Sequence, residues 1–433
     1  MKRVYLLTMK AHPMKNQQRK TFSVILVGFT LSAVIGLFIT SEISLSQNWC
    51  HAADTVVPTE WPDRIVLSWS SDDCATTQSV TWRTSARIRD ASAELAEADA
   101  TLDFAGNAKS FAAKCEPIES EGMTYHSHSV TFTGLKPDTM YYYRVRGAHW
   151  SEWFSFTTAS QGDQPFTFLF FGDTQTGLNS TLPPLIRRAF LTAPEAAFAV
   201  FSGDLVNGSD ERSWSEWFNA LGFLAAHYPI MPVPGNHEYD ENGLTHLWRP
   251  LFTLPENGPP ATEETCYTFT YNGVRMIGLE SYRDEIAGWL EDVLKNNACR
   301  WTIVYFHCPI YSPAKGRDEG GWRQTIKPIF DKYQIDLVLQ GHDHVYSRTG
   351  MHTPKVDAVD LVNVRDFDPD SRTVYVTSTA CDKMYEMEEK PLFAKMIPNI
   401  QLFQVIKIDG NTLTFTANTA TGRVVDSFVL EKP

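Results

Sequence analysis

Two histidines one residue apart, His342 and His344 in Gly341-His342-Asp343-His344, directly follow the apolar run 335–339. Imidazoles at this spacing, in a loop past the end of a buried strand, suit divalent or trivalent metals of intermediate softness. Four other segments are built alike. The run 166–171 leads into Asp173 and Gln175, and the run 198–202 leads through Gly203 to Asp204 and Asn207. The run 230–234 delivers Asn236-His237-Glu238, and the run 301–306 delivers His307. Each has an ordinary alternative. An Asp after a strand and a Gly serves as a turn or helix cap, Asn-His-Glu as a loop, a lone His as a hydrogen-bonded core residue. Five repeats of one construction are a different matter, because α/β sheets gather ligands outside the carboxyl ends of their strands. The five segments are therefore expected to converge on one crevice.

The elements that must hold these residues are legible around them. Apolar residues recur at helical spacing over 182–191, 212–226, 284–294 and 321–333. Asn272-Gly273 between 267–271 and 274–279 predicts a hairpin, and Asp409-Gly410 between 402–408 and 413–417 predicts another, closing the chain as edge strands. Residues 161–433 thus read as an α/β domain of two sheets packed face to face with helices outside. From 54 to 160 the text changes to short alternating strands such as Met140-Tyr141-Tyr142-Tyr143-Arg144-Val145, the pattern of an all-β sandwich. His126 and His128 in that stretch are expected to be exposed polar residues. Residues 1–53 begin with Lys2, Arg3, Lys10, Lys15, Arg19 and Lys20 and continue into the uncharged apolar run 21–41, which reads as a signal peptide or a membrane anchor and implies export.

The chain has 433 residues, 43% apolar and 21% charged, enough for more than one core. Its net charge of -13 argues against nucleic acid or an anionic membrane surface as the main partner. Seven cysteines without a Cys-x-x-Cys exclude a cysteine-built zinc site. In an oxidising compartment Cys74 and Cys115 are candidates to pair.

In this order, Gly-Asp, Gly-Asp, Gly-Asn-His-Glu, a strand-end His and Gly-His-x-His resemble the calcineurin-like metallophosphoesterase superfamily, and within it the purple acid phosphatase branch. The motifs span 166–346. Gly134-Leu135-Lys136-Pro137-Asp138-Thr139 resembles a fibronectin type III turn, consistent with the amino-terminal domain that this branch carries. The resemblance implies two metal ions, with Asp173, Asp204 and His344 on the first and Asp204, Asn236, His307 and His342 on the second. Asp204 would bridge them, and His237 would bind the phosphoryl group or protonate the leaving oxygen. Mixed oxygen and nitrogen donors favour Fe, Zn or Mn over Mg alone. Such a site activates water and clamps a phosphate ester for in-line attack.

Two positions depart from the pattern. Gln175 stands where most of the superfamily has a histidine, and Asn207 where purple acid phosphatases have a tyrosinate. A neutral amide oxygen from either is a poorer partner for a trivalent ion. The first metal should bind more weakly than the second, without tyrosinate colour. Lys315, Arg317 and Arg323 are candidates to meet a second acidic group or to form a solvated loop, and Tyr311 and Tyr346 to line the cleft or to pack. The expected function is an exported phosphoesterase acting on a small phosphorylated substrate, foremost a phosphomonoester. A phosphodiesterase or nucleotide pyrophosphatase on the same site, and a surface binding or adhesion protein with a degenerate site, are the alternatives.

Overall fold

A computed structural model describes residues 57–433 apart from 263, 282, 284, 319 and 355–367. The basic and apolar segment 1–53 lies outside the described residues. Among the described residues no helix is long and apolar enough to cross a membrane.

The amino-terminal part is a sandwich of two four-stranded antiparallel sheets. One runs Asp63–Ser68, Thr77–Ser85, Met123–Thr133, Lys114–Ser120 and the other Lys109–Ala112, Ser92–Glu97, Met140–Arg146, Phe154–Thr157. Alternation does what the pleat requires. Along Met140–Arg146, Tyr141, Tyr143 and Val145 face the core with Trp82, Phe132 and Phe156, while Tyr142, Arg144 and Arg146 face outward.

His126 and His128 depart from expectation, being 6% and 0% exposed. They share the inward face of their strand with Val130 and Phe132, and the opposite face is covered as well, the Ser127 hydroxyl donating to the Pro250 carbonyl of the second domain at 2.6 Å. His128 Nε2 meets Thr84 Oγ1 at 2.7 Å, and burial pushes its imidazole down to about 4. Cys74 and Cys115 are both free thiols, Cys74 buried in the core and Cys115 half-buried on Lys114–Ser120.

The carboxyl-terminal domain holds two large mixed sheets. The first orders Ile230–Pro232, Ala196–Phe201, Phe166–Phe171, Leu402–Asp409, Thr412–Thr419, Val424–Glu431, its first three strands parallel. The second orders Tyr267–Tyr271, Val274–Gly278, Trp301–Phe306, Leu337–Gln340, Val374–Thr377, Tyr346–Thr349, Phe393–Ile397. Their facing sides share one core. Ile303 and Tyr305 point into it with Phe168, Phe198 and Met276, whereas Val304 and Phe306 point outward to Ile286, Leu290 and Phe330 of the covering helices. Strands buried on both faces read as continuous apolar runs, which is why the five site segments were so plain in the sequence.

The helix over 182–191 forms as Leu182–Thr192, that over 284–294 as Ile286–Lys295. The pattern over 212–226 divides into the α-helix Glu211–Leu221 and a 3₁₀ turn at Gly222, whose φ of 60° leaves the α-helical region. That over 321–333 divides into Gly320–Thr325 and Lys327–Tyr333, because Pro328 offers no amide to the preceding turn. Asn272 and Gly273, with φ of 42° and 78°, make the expected hairpin. Leu402–Asp409 is not an edge strand. It pairs with Phe166–Phe171, and Val424–Glu431 takes the edge.

The two domains belong to one compact unit. Glu211, fully buried at the first turn of its helix, accepts from Arg64 Nη2 at 2.8 Å, Arg83 Nη1 at 3.3 Å and Tyr125 Oη at 2.8 Å. Charges taken out of water need such partners on every oxygen. The helix so anchored begins just after the loop that carries Asp204 and Asn207.

Candidate metal centre

All five strand-end segments meet where the carboxyl ends of the parallel strands of both sheets come together. The backbone there is bent into conformations that most residues avoid. Asp204 and His342 have φ of 49° and 66°, left-handed values for residues with bulky side chains. What holds Asp204 so is Glu238, which is buried and accepts four main-chain amides: Gly235 at 2.7 Å, Asp204 and Leu205 at 2.9 Å, Val206 at 3.3 Å. Burial and the Asp204 carboxylate nevertheless push Glu238 up, to about 8. Two glycines make room. A Cβ on Gly203 would stand 2.5 Å from the Gly235 nitrogen, and one on Gly341 would stand 2.3 Å from Asp173 Oδ1.

The side chains form two groups that share one member. Asp204, His307 and His342 bring donor atoms within 4.8 Å of one another, as do Asp173, Asp204 and His344. Asn236 joins the first group, its Oδ1 3.1 Å from His307 Nε2. Gln175, 2% exposed, joins the second, its Nε2 3.1 Å from Asp204 Oδ2 and 3.2 Å from His344 Nε2.

Hydrogen bonds behind the rings fix which nitrogens face the centre. His307 Nδ1 lies 2.9 Å from the Ser202 carbonyl and His344 Nδ1 lies 3.0 Å from the Lys383 carbonyl. A carbonyl only accepts, so each Nδ1 carries hydrogen and each Nε2 turns a lone pair inward. The His307 lone pair then faces Asn236 Oδ1 and, at 3.2 Å, Asp204 Oδ1, both acceptors, with His342 Nδ1 at 3.0 Å on its other side. Likewise His344 Nε2 lies 3.1 Å from Asp173 Oδ2, an oxygen at which no hydrogen-bond donor is aimed. Carboxylate oxygens and imidazole nitrogens so gathered suit a cation, and the donor set fits a metal in both groups. Without a metal, a proton takes that place. Burial pulls both imidazoles down, but the Asp204 carboxylate outweighs it and lifts His307 to about 9, and Asp173 lifts His344 to about 11. Burial pushes Asp204 upward in turn, and His307 overrides it, holding the carboxyl down at about 2.

Of the two residues that replace the expected first-group donors, Gln175 stands in the centre and Asn207 does not. Gln175 Oε1 is buried without a partner while Nε2 faces Asp204 and His344, so a half-turn of the amide would present the oxygen to a cation in the second group. Asn207 is exposed and acts through its main chain, its carbonyl accepting from His237 Nδ1 at 2.7 Å. That bond turns His237 Nε2 toward the centre, 3.9 Å from Asp204 Oδ2, with 29% of the side chain exposed to the cleft.

The other candidates separate. Tyr311 and Tyr346 are packing residues, 1% and 0% exposed, with the Tyr346 hydroxyl donating to Asp426 at 2.8 Å. Arg323 is buried against Asp318 and the Ile310 carbonyl, so it is neither solvated nor at the cleft. Lys315 pairs with Glu386 on the surface at 3.3 Å. Only Arg317 reaches the centre, bonding Asp343 and the outer nitrogen of His342. The segment after the strand Val374–Thr377 went unnoticed in the sequence. There Cys381 Sγ lies 3.4 Å from His344 Nδ1 and the Tyr385 ring stacks on His344 at 4.6 Å. The segment does carry an acid, Asp382, but that carboxylate takes the hydroxyls of Thr176 and Thr181 and belongs to neither donor group.

Comparison with known proteins agrees with this architecture. The calcineurin-like phosphoesterase family model matches residues 166–346, and the purple acid phosphatase N-terminal domain model matches 62–158. An uncharacterized protein of Mycobacterium tuberculosis is 31% identical over 268 residues, covering 52% of this chain and 50% of its own. The Fe(3+)-Zn(2+) purple acid phosphatase 12 of Arabidopsis thaliana is 27% identical over 249 residues, covering 51% and 52%. The chain thus spans about half the length of the curated relatives it matches. Among solved structures, a purple acid phosphatase from yellow lupin (Lupinus luteus) seeds superposes with a TM-score of 0.70 at 17% identity, over 86% of this chain and 74% of that one, which shows a common fold.

Proposed function

The chain joins a purple acid phosphatase N-terminal domain to a calcineurin-like phosphoesterase domain, and from that premise we propose that it is a two-metal phosphoesterase hydrolysing small phosphate esters, foremost monoesters. The observation that carries the reading is the position of Asp204, the one carboxylate common to both donor groups. Asp173, Gln175, Asp204 and His344 would hold one ion and Asp204, Asn236, His307 and His342 the other. Fe, Zn or Mn suits these donors. Two bound cations supply the Lewis acidity that activates water and relieves charge on the phosphoryl oxygens.

The protein's own contribution is orientation and a proton. Glu238 fixes the Asp204 main chain, the carbonyls of Ser202 and Lys383 aim the two imidazoles, and the Asn207 carbonyl aims His237 Nε2 at the cleft. His237 is thereby placed to bind the phosphoryl group and to protonate the departing oxygen. The intact donor set speaks against a degenerate site on an adhesion protein. The basic and apolar leader supports export, with attachment to a membrane through 21–41 if it is retained. Nucleic acid is not an expected partner of a chain with net charge -13.

The test is side-by-side turnover of a monoester, a diester and a nucleoside pyrophosphate by one metal-analysed preparation. Fastest hydrolysis of the monoester is expected. Preference for either of the others assigns the centre to diester or pyrophosphate chemistry, and no turnover of any contradicts the reading.

A further inference from the structure

Beside His344 the centre continues into a rim that none of the proposed metal or proton-transfer roles uses. The Tyr385 ring stacks on the His344 imidazole at 4.6 Å and 12°, and its main-chain N–H donates to the His344 carbonyl at 3.1 Å. Two cations lie over the same ring, the Arg317 guanidinium at 5.0 Å from its centroid and the Lys383 ammonium at 5.4 Å. Aromatic faces hold cations without neutralising them. Arg317 also touches His342, so one ring and one guanidinium connect this rim to donors of both groups.

The charges around the rim are unequal in their commitments. Asp343 is 2% exposed and bonded to Arg317. Asp382 takes the hydroxyls of Thr176 at 2.7 Å and Thr181 at 3.0 Å, and Glu386 pairs with Lys315. Lys383 is exposed and forms no ion pair among the described residues, although its main chain is fixed by the bond from His344 Nδ1. In a chain of net charge -13, an uncommitted ammonium on a rigid segment at the mouth of a phosphate site is a specific feature.

The geometry points to a second anion subsite: Lys383 and Arg317, seated on Tyr385, receive a further phosphate or carboxylate borne by the leaving group of the ester. The substrate class is then a compact organic phosphate with two anionic groups. This rests on the phosphoesterase reading above and refines it. Lys383 and Arg317 are binding residues here, so their effect belongs in KM.

The test compares phenyl phosphate with 4-carboxyphenyl phosphate, whose leaving phenols are of similar acidity. The wild type is expected to favour the carboxylated ester by roughly tenfold in kcat/KM, through KM, the scale of one close and partly solvated charge pair. Lys383→Met should remove most of that preference and Lys383→Arg should keep it. An ester ratio that is the same in wild type and Lys383→Met overturns the subsite. A second readout does not need turnover, namely equilibrium binding of methylphosphonate and methylenebisphosphonate to the metal-loaded protein. The bisphosphonate should bind more tightly, by a margin that Lys383→Met narrows roughly tenfold. A margin unchanged in the variant is chelation by the metals alone and overturns the subsite. Should neither ester be hydrolysed, the phosphoesterase reading fails by itself and the binding comparison still decides the subsite.

Discussion

Stripping the metals with a chelator should make the stability of the fold depend on pH in a direction that the centre dictates. With no metal present, His307 holds a proton between its Nε2 and Asp204, and its affinity for that proton rises from an ordinary 6.5 to about 9. That difference is worth roughly 3 kcal/mol at most. A folded-state value above the unfolded one means stability that is fully present below pH 6.5 and lost as pH climbs toward 9. His344 and Glu238 are raised as well and act in the same direction, while His128, lowered to about 4, acts only below pH 6.5. Metal reverses the trend, since it needs the bare nitrogen lone pairs and competes with protons for them. Urea denaturation in chelator at pH 6.5, 7.5 and 9 should give a midpoint that falls with pH, and zinc should raise the midpoint more at pH 9 than at pH 6.5. In Asp204→Asn the chelated protein should lose the His307 share of this slope and keep the share of His344, which Asp173 sets. A chelated wild type whose stability is flat or rises over this range, or a metal gain that shrinks with pH, would refute the reasoning.

Other outcomes follow from single contacts. Gln175→His puts an imidazole where the amide meets Asp204 and His344, and should tighten the weaker of two sequential metal-binding steps by about tenfold or more, read by competition with a chromophoric chelator. The iron-loaded wild type should show no strong tyrosinate band in the visible, because the position that would supply it is Asn207. His237→Ala should lower kcat by roughly 10²–10⁴ with metal content unchanged, since the imidazole is held by the Asn207 carbonyl and is outside both donor groups. Glu211→Ala leaves Arg64 and Arg83 buried without their shared carboxylate and should cost about 3–5 kcal/mol of stability in urea titration.

Much of the centre was legible because its chemistry is tied to strand ends. A buried parallel strand announces itself as an apolar run, and the residue after it has few directions in which to point, so Asp173, Asp204, Asn236, His307 and His344 could be gathered from the text alone. Gln175 and Asn207 could not be ranked in that way. The choice between them depends on the left-handed turn at Asp204, which carries residue 207 out to solvent and leaves only its carbonyl facing inward. The burial of His126 and His128 was hidden for another reason, as polar imidazoles occupy the inward face that Val130 and Phe132 continue, where apolar residues are the rule. Lys383 and Tyr385 carry no motif at all. Their place beside His344 comes from the strand order, which sets Val374–Thr377 between Leu337–Gln340 and Tyr346–Thr349.

The central claim is that Asp204 is shared between two cations, and metal analysis of matched wild-type and Asp204→Asn preparations, assayed together on a phosphomonoester, tests it most directly. Two metals per wild-type chain, with loss of both tight binding and turnover in the variant, are expected. A variant that keeps two tightly bound metals, or that turns over the ester at the wild-type rate, would contradict it.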